Sequence, residues 1–340
     1  MKLQWSCRTT VIAVLVAWLG FSIWPSRAEA LSFGGQATGA QVTAAGITIR
    51  AATGQLPPTG GEVDASMISG DIPGSATGGA VTLAAGTLHS VAVGLDATDA
   101  EASLANVDLS VSSNTITADF LMARSSASCG TGPTVAGSSQ LPNLVINGQP
   151  ITVTGSPNQS VSLPNGTAVI NDQMSAVGGT TGELKVVALH VTTIDPVTGQ
   201  VLADVQLAIA DALIDCQPGS GPTGSFVNGG GWIPVAGGKG TFGVVGGTQP
   251  DGTPAGHLVY IDHGVGSLTV QSTSITSGGC TIQGSGTSNF GPVNFIVTVT
   301  DAGEPGTSDT FSITVSGAIS YSAAGRLGGG NIQAHRLTCQ

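Results

Sequence analysis

The amino-acid sequence predicts an all-β protein with two tandem antiparallel β-sandwich-like modules after a cleaved signal peptide. Short runs in which Val, Ile or Phe alternate with Thr or Ser are typical of strands with one buried face. Turn residues separate these runs, since the chain contains 52 Gly and 17 Pro. Only 9% of the residues are charged and 41% are hydrophobic, unlike the composition of disordered chains. The length of 340 residues exceeds that of one typical domain and indicates two.

Residues 1–30 have the layout of a secretory signal peptide. Lys2 and Arg8 form a basic start, residues 11–24 are mostly apolar, and Ala28-Glu29-Ala30 is a small-x-small cleavage site. The alternative is a retained N-terminal membrane anchor, but the apolar run is short for a span of about 20 residues. We therefore predict that the chain is secreted and extracellular, with association with the cell surface as an option. No membrane contact is expected after cleavage.

The charge of the chain excludes two classes of partner. The formal net charge is −11, and signal cleavage makes it more negative because three basic residues leave with one acid. So acidic a surface repels nucleic acid and anionic lipid, so neither is an expected partner. Three of the four Trp lie in residues 1–30, which leaves Trp232, Tyr260 and Tyr321 and argues against an aromatic sugar-binding face.

Four cysteines remain after Cys7 leaves with the signal peptide. Together with a Gly/Pro-rich segment they define the expected modules. Residues 217–231 carry two prolines, many glycines and no charge, so we predict a linker there between modules at 31–216 and 232–340. An even number of cysteines in an exported chain favours disulfides. Pairing within each module gives Cys129–Cys216 and Cys280–Cys339. The alternative, a four-cysteine metal site, lacks any C-x-x-C spacing.

Strand patterns fill the first module. We predict strands at 41–49, 81–95, 102–112, 115–127, 143–146, 151–154, 160–163, 168–174, 183–193 and 201–216. Pairs such as Asn147-Gly148 and Asn165-Gly166 mark the turns between them, because positive φ costs least there. The last segment is ambiguous: Val201, Val205 and Ala208 also fit a helical stripe. Its neighbours are all strands and turns, which favours a strand.

The second module shows the same pattern in shorter pieces. Strands are predicted at 240–246, 257–263, 267–275, 293–300, 310–316 and 331–336. In two of them, every second residue is large and apolar, as in Val293 and Phe295 or Phe311 and Ile313. This alternation is typical of an antiparallel sheet with one buried face.

Both halves also contain motifs of known families. The first half carries Ser138-Ser139-Gln140-Leu141, Leu144-Val-Ile-Asn-Gly148, Asn171-Asp-Gln173 and Val187-Ala-Leu-His-Val191. Over about residues 37–216 it resembles the choice-of-anchor P family, which are exported bacterial β proteins named for varied C-terminal surface anchors. The resemblance implies a bacterial cell surface and supplies no activity. The C-terminal residues show no sorting signal, so covalent wall attachment is not expected.

The second half is similar to the domain that commonly follows choice-of-anchor domains. The matching motifs are Gly230-Gly-Trp-Ile233, Gly240-Thr-Phe-Gly243, Gly256-His-Leu-Val-Tyr-Ile-Asp-His-Gly264, Asp301-Ala-Gly-Glu-Pro-Gly306 and Gly328-Gly-Gly-Asn-Ile-Gln-Ala-His335. They span about residues 226–336. No activity is implied by this resemblance either.

One loop of the second module contains a candidate metal site. Asp301, Glu304 and Asp309 lie on a Gly/Pro-rich turn between two expected strands. Carboxylate oxygens from one loop are what Ca²⁺ requires, and extracellular sites can be weak. The competing interpretation is that these acids are solvated or stabilise the turn itself. The three acids are therefore interpreted either as a possible calcium site or as residues with a structural role. No other cofactor is expected.

The histidines give a weaker hydrolytic candidate. His257, Asp262 and His335 would form a catalytic group only if Asp262 orients His335 from a neighbouring strand. His257 and His263 share a strand face but lie too far apart to bind one ion. His190, between Leu189 and Val191, is expected to be a buried, hydrogen-bonded structural residue.

No catalytic signature is present in the sequence. There is no Gly-x-Ser-x-Gly elbow and no His-Glu-x-x-His pair. We therefore expect a secreted or surface-associated bacterial β protein with a structural or interaction role, an unknown extracellular partner and no enzymatic activity. The alternatives are a calcium-dependent binding module using Asp301, Glu304 and Asp309, or an extracellular hydrolase.

Overall fold

A computed structural model describes residues 31–340 of the chain, except residues 220 and 305. The predicted signal peptide lies outside the described residues. Strands dominate the described part, together with one short 3-10 helix at Gly74–Thr77. No helix there has the length and apolar character that crossing a bilayer demands. The predicted all-β class with antiparallel sheets is confirmed.

Fourteen strands precede Cys216. They are β1 (Ser32–Ala44), β2 (Ile47–Ala52), β3 (Gly61–Met67), β4 (Val81–Ala84), β5 (Leu88–Gly94), β6 (Ala97–Val111), β7 (Asn114–Cys129), β8 (Pro133–Gln140), β9 (Val145–Ile146), β10 (Gln149–Pro150), β11 (Gln159–Leu163), β12 (Gly166–Gly178), β13 (Thr181–Ile194) and β14 (Val201–Asp215). Two predicted strands of this module are wrong. The strand 41–49 is interrupted, because Ala45 and Gly46 adopt positive φ and turn the chain from β1 into β2, and 151–154 is not a strand. The predicted strand 81–95 is divided into β4 and β5.

These strands form two sheets. The first has the order β11-β12-β13-β14-β1-β2, and the second has the order β10-β9-β7-β6-β5-β3 with β4 beside β6 and β8 beside β7. Side chains from both sheets, such as Leu207 and Leu104, are fully buried in one common core. Burying one apolar face of each sheet against the other is what makes this sandwich stable.

The ambiguous segment 201–216 is strand β14. It pairs with β13 on one side and β1 on the other, so the helical alternative is wrong. Ala208 has a φ of 50° and is unpaired in both ladders, although the register of each ladder is the same on both sides of it. Buried positions change there from 203, 205 and 207 to 210, 212 and 214, and this shift imitates a helical stripe.

Nine strands follow in the second module. They are β15 (Ser225–Val235), β16 (Gly238–Thr248), β17 (Pro254–Asp262), β18 (Thr269–Ser277), β19 (Thr281–Ser288), β20 (Gly291–Thr300), β21 (Thr310–Gly317), β22 (Tyr321–Arg326) and β23 (Gly329–His335). They form a third sheet in the order β22-β21-β20-β19-β18-β17-β16-β15-β23. The sheet curves around its own core, in which Phe242 stacks on Phe311 with ring centroids 3.9 Å apart.

The predicted linker 217–231 is wrong from Ser225 onward, because β15 begins there and lies between β16 and β23. Its glycines allow close approach rather than a turn. A Cβ on Gly230 would lie 2.4 Å from the Ser103 Oγ of the other module, and one on Gly229 would lie 2.3 Å from a carbonyl of β23. This run of glycines has the composition of a flexible linker, but it is a strand paired on both sides. Glycine is required there because neighbouring chain segments leave no room for a Cβ.

Two disulfides join the predicted partners. Cys129 is bonded to Cys216 across 87 residues, and Cys280 to Cys339 across 59 residues. Each bond lies within one module, and disulfides of this kind indicate an oxidising compartment.

The modules dock through two small apolar clusters that are separate from both cores. In one, Val91 and Val93 meet Phe226 and Val245. In the other, Ala105, Phe120 and Met122 pack against Trp232. Thr87 and Thr241 share a hydrogen bond of 3.0 Å between them.

Candidate functional site between the modules

A cleft of about 480 Å³ opens where β6, β7 and β8 of the first module face the loop after β20 and strand β23 of the second. Its lining includes the polar side chains of Asp99, Arg124, Ser138, Glu304 and Gln333. Clefts between modules with convergent polar groups are the usual places to search for a binding site.

Arg124 is the centre of this cleft. Its Nη1 donates to Glu304 Oε2 at 2.6 Å, and its Nη2 donates to Gln333 Oε1 at 2.6 Å. Both acceptors belong to the second module, whereas Arg124 lies on β7. The side chain is only 16% exposed, so these charge-assisted hydrogen bonds form in a poorly hydrated setting and tie the modules together.

Glu101 lies opposite Arg124 in the β6–β7 ladder. Its Oε2 is 3.6 Å from Arg124 Nε, and its side chain is 2% exposed. Neither carboxyl oxygen has a hydrogen-bond partner within the described residues. Burial raises the pKa of Glu101 to about 8, although the guanidinium of Arg124 works in the opposite direction. Near neutral pH this carboxyl group therefore holds its proton.

A second chain of contacts extends from the same cleft. Gln333 Nε2 donates to Asp99 Oδ1 at 3.4 Å, and His335 Nδ1 lies 3.5 Å from Asp99 Oδ2. The other ring nitrogen of His335 meets the Asn228 side-chain oxygen. Burial lowers the pKa of His335, while Asp99 raises it by a smaller amount. The imidazole is therefore neutral in the docked molecule near pH 7.

The acidic loop proposed for calcium borders this cleft, but its carboxylates are directed elsewhere. Asp301 accepts hydrogen bonds from the backbone N–H groups of Gly303 and Ala334. Asp309 accepts from those of Ala302 and Ile332, each at 2.8 Å. These bonds attach the loop to β23, in agreement with the structural alternative.

Glu304, the third of these acids, is engaged by Arg124 and lies 3.4 Å from Asn331 Nδ2. The structure therefore does not direct the three carboxylates toward one cation. More widely, the described part of the chain contains no group of three His, Cys, Asp or Glu side chains arranged to hold a metal ion.

Calcium should consequently have little effect on stability. We expect 5 mM Ca²⁺ added to EGTA-treated protein to move the melting temperature by less than about 1 °C, because a cation that does not bind the native state cannot stabilise it. Differential scanning fluorimetry measures this. Asp309→Asn is the companion variant, and we expect it to melt lower with or without calcium, since an amide nitrogen cannot accept the Ile332 N–H. A rise of several degrees with calcium, lost in Asp309→Asn, would contradict the structural role.

The hydrolytic candidates lie in three separate environments. Asp262 accepts hydrogen bonds from Tyr321 Oη at 2.9 Å and from the Gly264 backbone. His335 faces Asp99, so the Asp262–His335 contact that the hydrolytic alternative requires is not formed. His257 lies on the opposite face of β17 from Asp262, with Nδ1 3.9 Å from Asp64 Oδ2.

His257 belongs to a second polar cluster between the modules. Glu62, Asp64 and Ser66 alternate along β3 and face β5 and β17. Ser66 Oγ is 2.9 Å from His89 Nδ1. Within the described residues, Glu62 Oε1, His89 Nε2 and His257 Nε2 are buried without hydrogen-bond partners. No strand is predicted from the sequence at residues 61–67, where β3 lies. Nothing in the sequence therefore indicates that Glu62, Asp64 and His89 form a group.

His190 is hydrogen-bonded, as expected, and stands on the outer face of the first sheet. Its Nδ1 is 2.7 Å from Asp172 Oδ2, and its Nε2 is 2.9 Å from Asp204 Oδ2. The hydrogen bonds with Asp204 and Asp172 raise the pKa of His190 in spite of partial burial. The side chain is 23% exposed, so this cluster is a surface feature remote from the module interface.

Comparison with known proteins gives no matching family model, no matching curated protein and no matching solved structure.

Proposed function

We propose that this chain is an exported, cell-surface-associated bacterial β protein with a structural or binding role and no enzymatic activity. The observation that supports it best is how the molecule uses its polar groups. Arg124, Glu304 and Gln333, which line the cleft, are bonded to one another across the modules. A catalytic group needs partners that stay free to meet a substrate, whereas these side chains hold two modules in one arrangement.

Export is supported by two further observations. Residues 1–30 have the layout of a signal peptide, and two disulfides fit an oxidising compartment. The motif resemblance to choice-of-anchor P proteins adds the bacterial cell surface as the location. The partner that we propose is therefore an extracellular or cell-wall component, and not nucleic acid or membrane lipid, because the net charge of −11 repels polyanions.

A fractionation experiment tests this function. Immobilised protein is incubated with separated cell-wall, glycan and secreted-protein fractions, with and without chelator. We expect saturable retention of one component that is insensitive to chelator and lost after heat denaturation. Turnover of a glycan or peptide panel that disappears in His335→Ala or His257→Ala would instead favour the hydrolase. Retention that requires calcium would favour the calcium-dependent module.

A further inference from the structure

Histidine is concentrated at the module interface. Of the five histidines in the chain, His190 alone lies elsewhere. His257 and His335 face Asp64 and Asp99 of the first module, and His263 Nε2 is 3.2 Å from Asn106 Nδ2. His89 is fully buried against the second module, since a Cβ on Gly243 would lie 2.5 Å from its own Cβ. His89 is fully buried, and the side chains of His335 and His257 are 8% and 19% exposed, whereas His263 is already exposed in the docked molecule. Separation of the modules would therefore expose chiefly His89, His257 and His335.

Charged and titratable groups surround each of the four. His89 and His257 face each other and Asp64, with Glu62 next to Asp64. His263 is influenced by Asp262 and Lys239, and His335 by Asp99, Arg124 and Asp301. Two further ion pairs cross the interface, Lys239–Asp119 and Arg336–Asp96.

The two modules are built to survive separation. Each has its own apolar core and its own disulfide, and neither disulfide crosses the interface. The clusters that join the modules are small and separate from both cores. The covalent connection is the short segment between β14 and β15. Loss of docking therefore leaves the buried surface of both cores in place.

We propose that the interface is a pH-sensitive latch: the modules are docked near neutral pH and separate in acid while each remains folded. His89, His257 and His335 carry the change, because the docked state gives these three side chains little contact with water and too little compensating charge to accept protons. Asp96 and Asp119 act in the same direction, since acid removes the charge that pairs them with Arg336 and Lys239.

The directions of the pKa shifts show whether docking strengthens or weakens as pH falls. Burial lowers the pKa of His257, His263 and His335, and it lowers that of His89 to about 3. As pH falls below about 6.5, these histidines take up protons in the separated state but remain neutral in the docked state, so docking weakens.

The buried carboxyl groups act oppositely at higher pH. Burial raises the pKa of Glu62, Asp64 and Glu101, so these groups weaken docking as pH rises through the range up to about 8. Below about pH 4.5, glutamates are protonated in both states and cease to contribute. The histidines then dominate. Docking weakens about tenfold per pH unit for each histidine that is protonated in the separated state and neutral in the docked state.

Trp232 supplies a direct reporter of docking. It is the only Trp of residues 31–340, and it packs on Ala105, Phe120 and Met122 of the other module. Residues 31–340 are titrated from pH 7 to pH 3 while Trp emission, the radius of gyration from X-ray scattering and far-UV circular dichroism are recorded. We expect a red shift of the emission and an increase in radius at a pH where the strand signal is unchanged.

Variants separate the latch from ordinary acid unfolding. The double variant His257→Gln with His335→Gln is expected to move the emission midpoint down by at least about half a pH unit, because fewer protons are taken up. His190→Gln is the matched control and should leave that midpoint unchanged. The proposal is overturned if Trp emission and the strand signal change together at every pH. It is equally overturned if the double variant keeps the parent midpoint. Should that variant fail to fold at pH 7, the wild-type comparison of emission with dichroism decides alone.

Discussion

Replacing Arg124 with Met is expected to lower the free energy of unfolding by about 1–3 kcal/mol, the usual cost of leaving hydrogen-bond acceptors at an interface without their donor. The guanidinium is the donor for Glu304 and Gln333 and the nearest cation to Glu101. Methionine fills part of the volume and donates nothing, so these acceptors lose their partner at the module interface. Guanidinium chloride unfolding of both proteins at pH 7 measures the difference.

A double-mutant cycle tests the reason for that loss. Glu304→Gln replaces the carboxylate that accepts from Arg124, so the loss in the double variant with Arg124→Met should be smaller than the sum of the two single losses. Arg50→Met is the matched control, because Arg50 donates to Gln36 and Thr38 of its own module, and it should cost less than about 1 kcal/mol. Equal losses at Arg50 and Arg124 would show that the inter-module contacts contribute little.

Removal of the second disulfide by Cys280→Ser with Cys339→Ser is expected to destabilise the second module by about 4 kcal/mol, because the unfolded chain regains the freedom of the loop between them. The bond joins the start of β19 to the chain end beyond β23, and Asp301 N–H donates to the Cys339 carbonyl beside it. The acidic loop should therefore loosen as well.

Hydrogen exchange followed by mass spectrometry locates this effect. Faster exchange is expected in β19–β21 and β23, with the first sheet nearly unaffected. The reciprocal variant, Cys129→Ser with Cys216→Ser, should produce the opposite distribution. Uniform loss of protection over both modules in either variant would mean that the modules unfold as one unit, and the pH-sensitive latch would then fail too.

Sequence patterns predicted the fold class and cysteine pairing because both depend on local periodicity and on pairing within a module. They failed where tertiary contact changes the meaning of a residue. Gly229, Gly230 and Gly231 look like a flexible linker, yet they are glycine because other strands approach too closely for a Cβ. The positive φ at Ala208 likewise gave a strand the apolar spacing of a helix.

The cleft was only partly within reach of the sequence. The predicted strands 102–112 and 115–127 place a hairpin at the right point of the chain, but the turn lies at Ser112-Ser113, and only this register places Glu101 opposite Arg124. Nothing local identifies Glu304 as the partner of Arg124, since the two are 180 residues apart. The calcium prediction had a related weakness: acids on a Gly-rich turn look alike whether they face a cation or backbone N–H groups.

The placement of the two disulfides has a mechanical consequence. If the ends of the molecule were pulled apart, the 87 and 59 residues enclosed by Cys129–Cys216 and Cys280–Cys339 could not extend. At roughly 3.5 Å per residue, about 300 Å and 200 Å of contour would stay locked under load. Residues 31–128 and 217–279 lie outside both loops, so only these parts of the chain could lengthen under load.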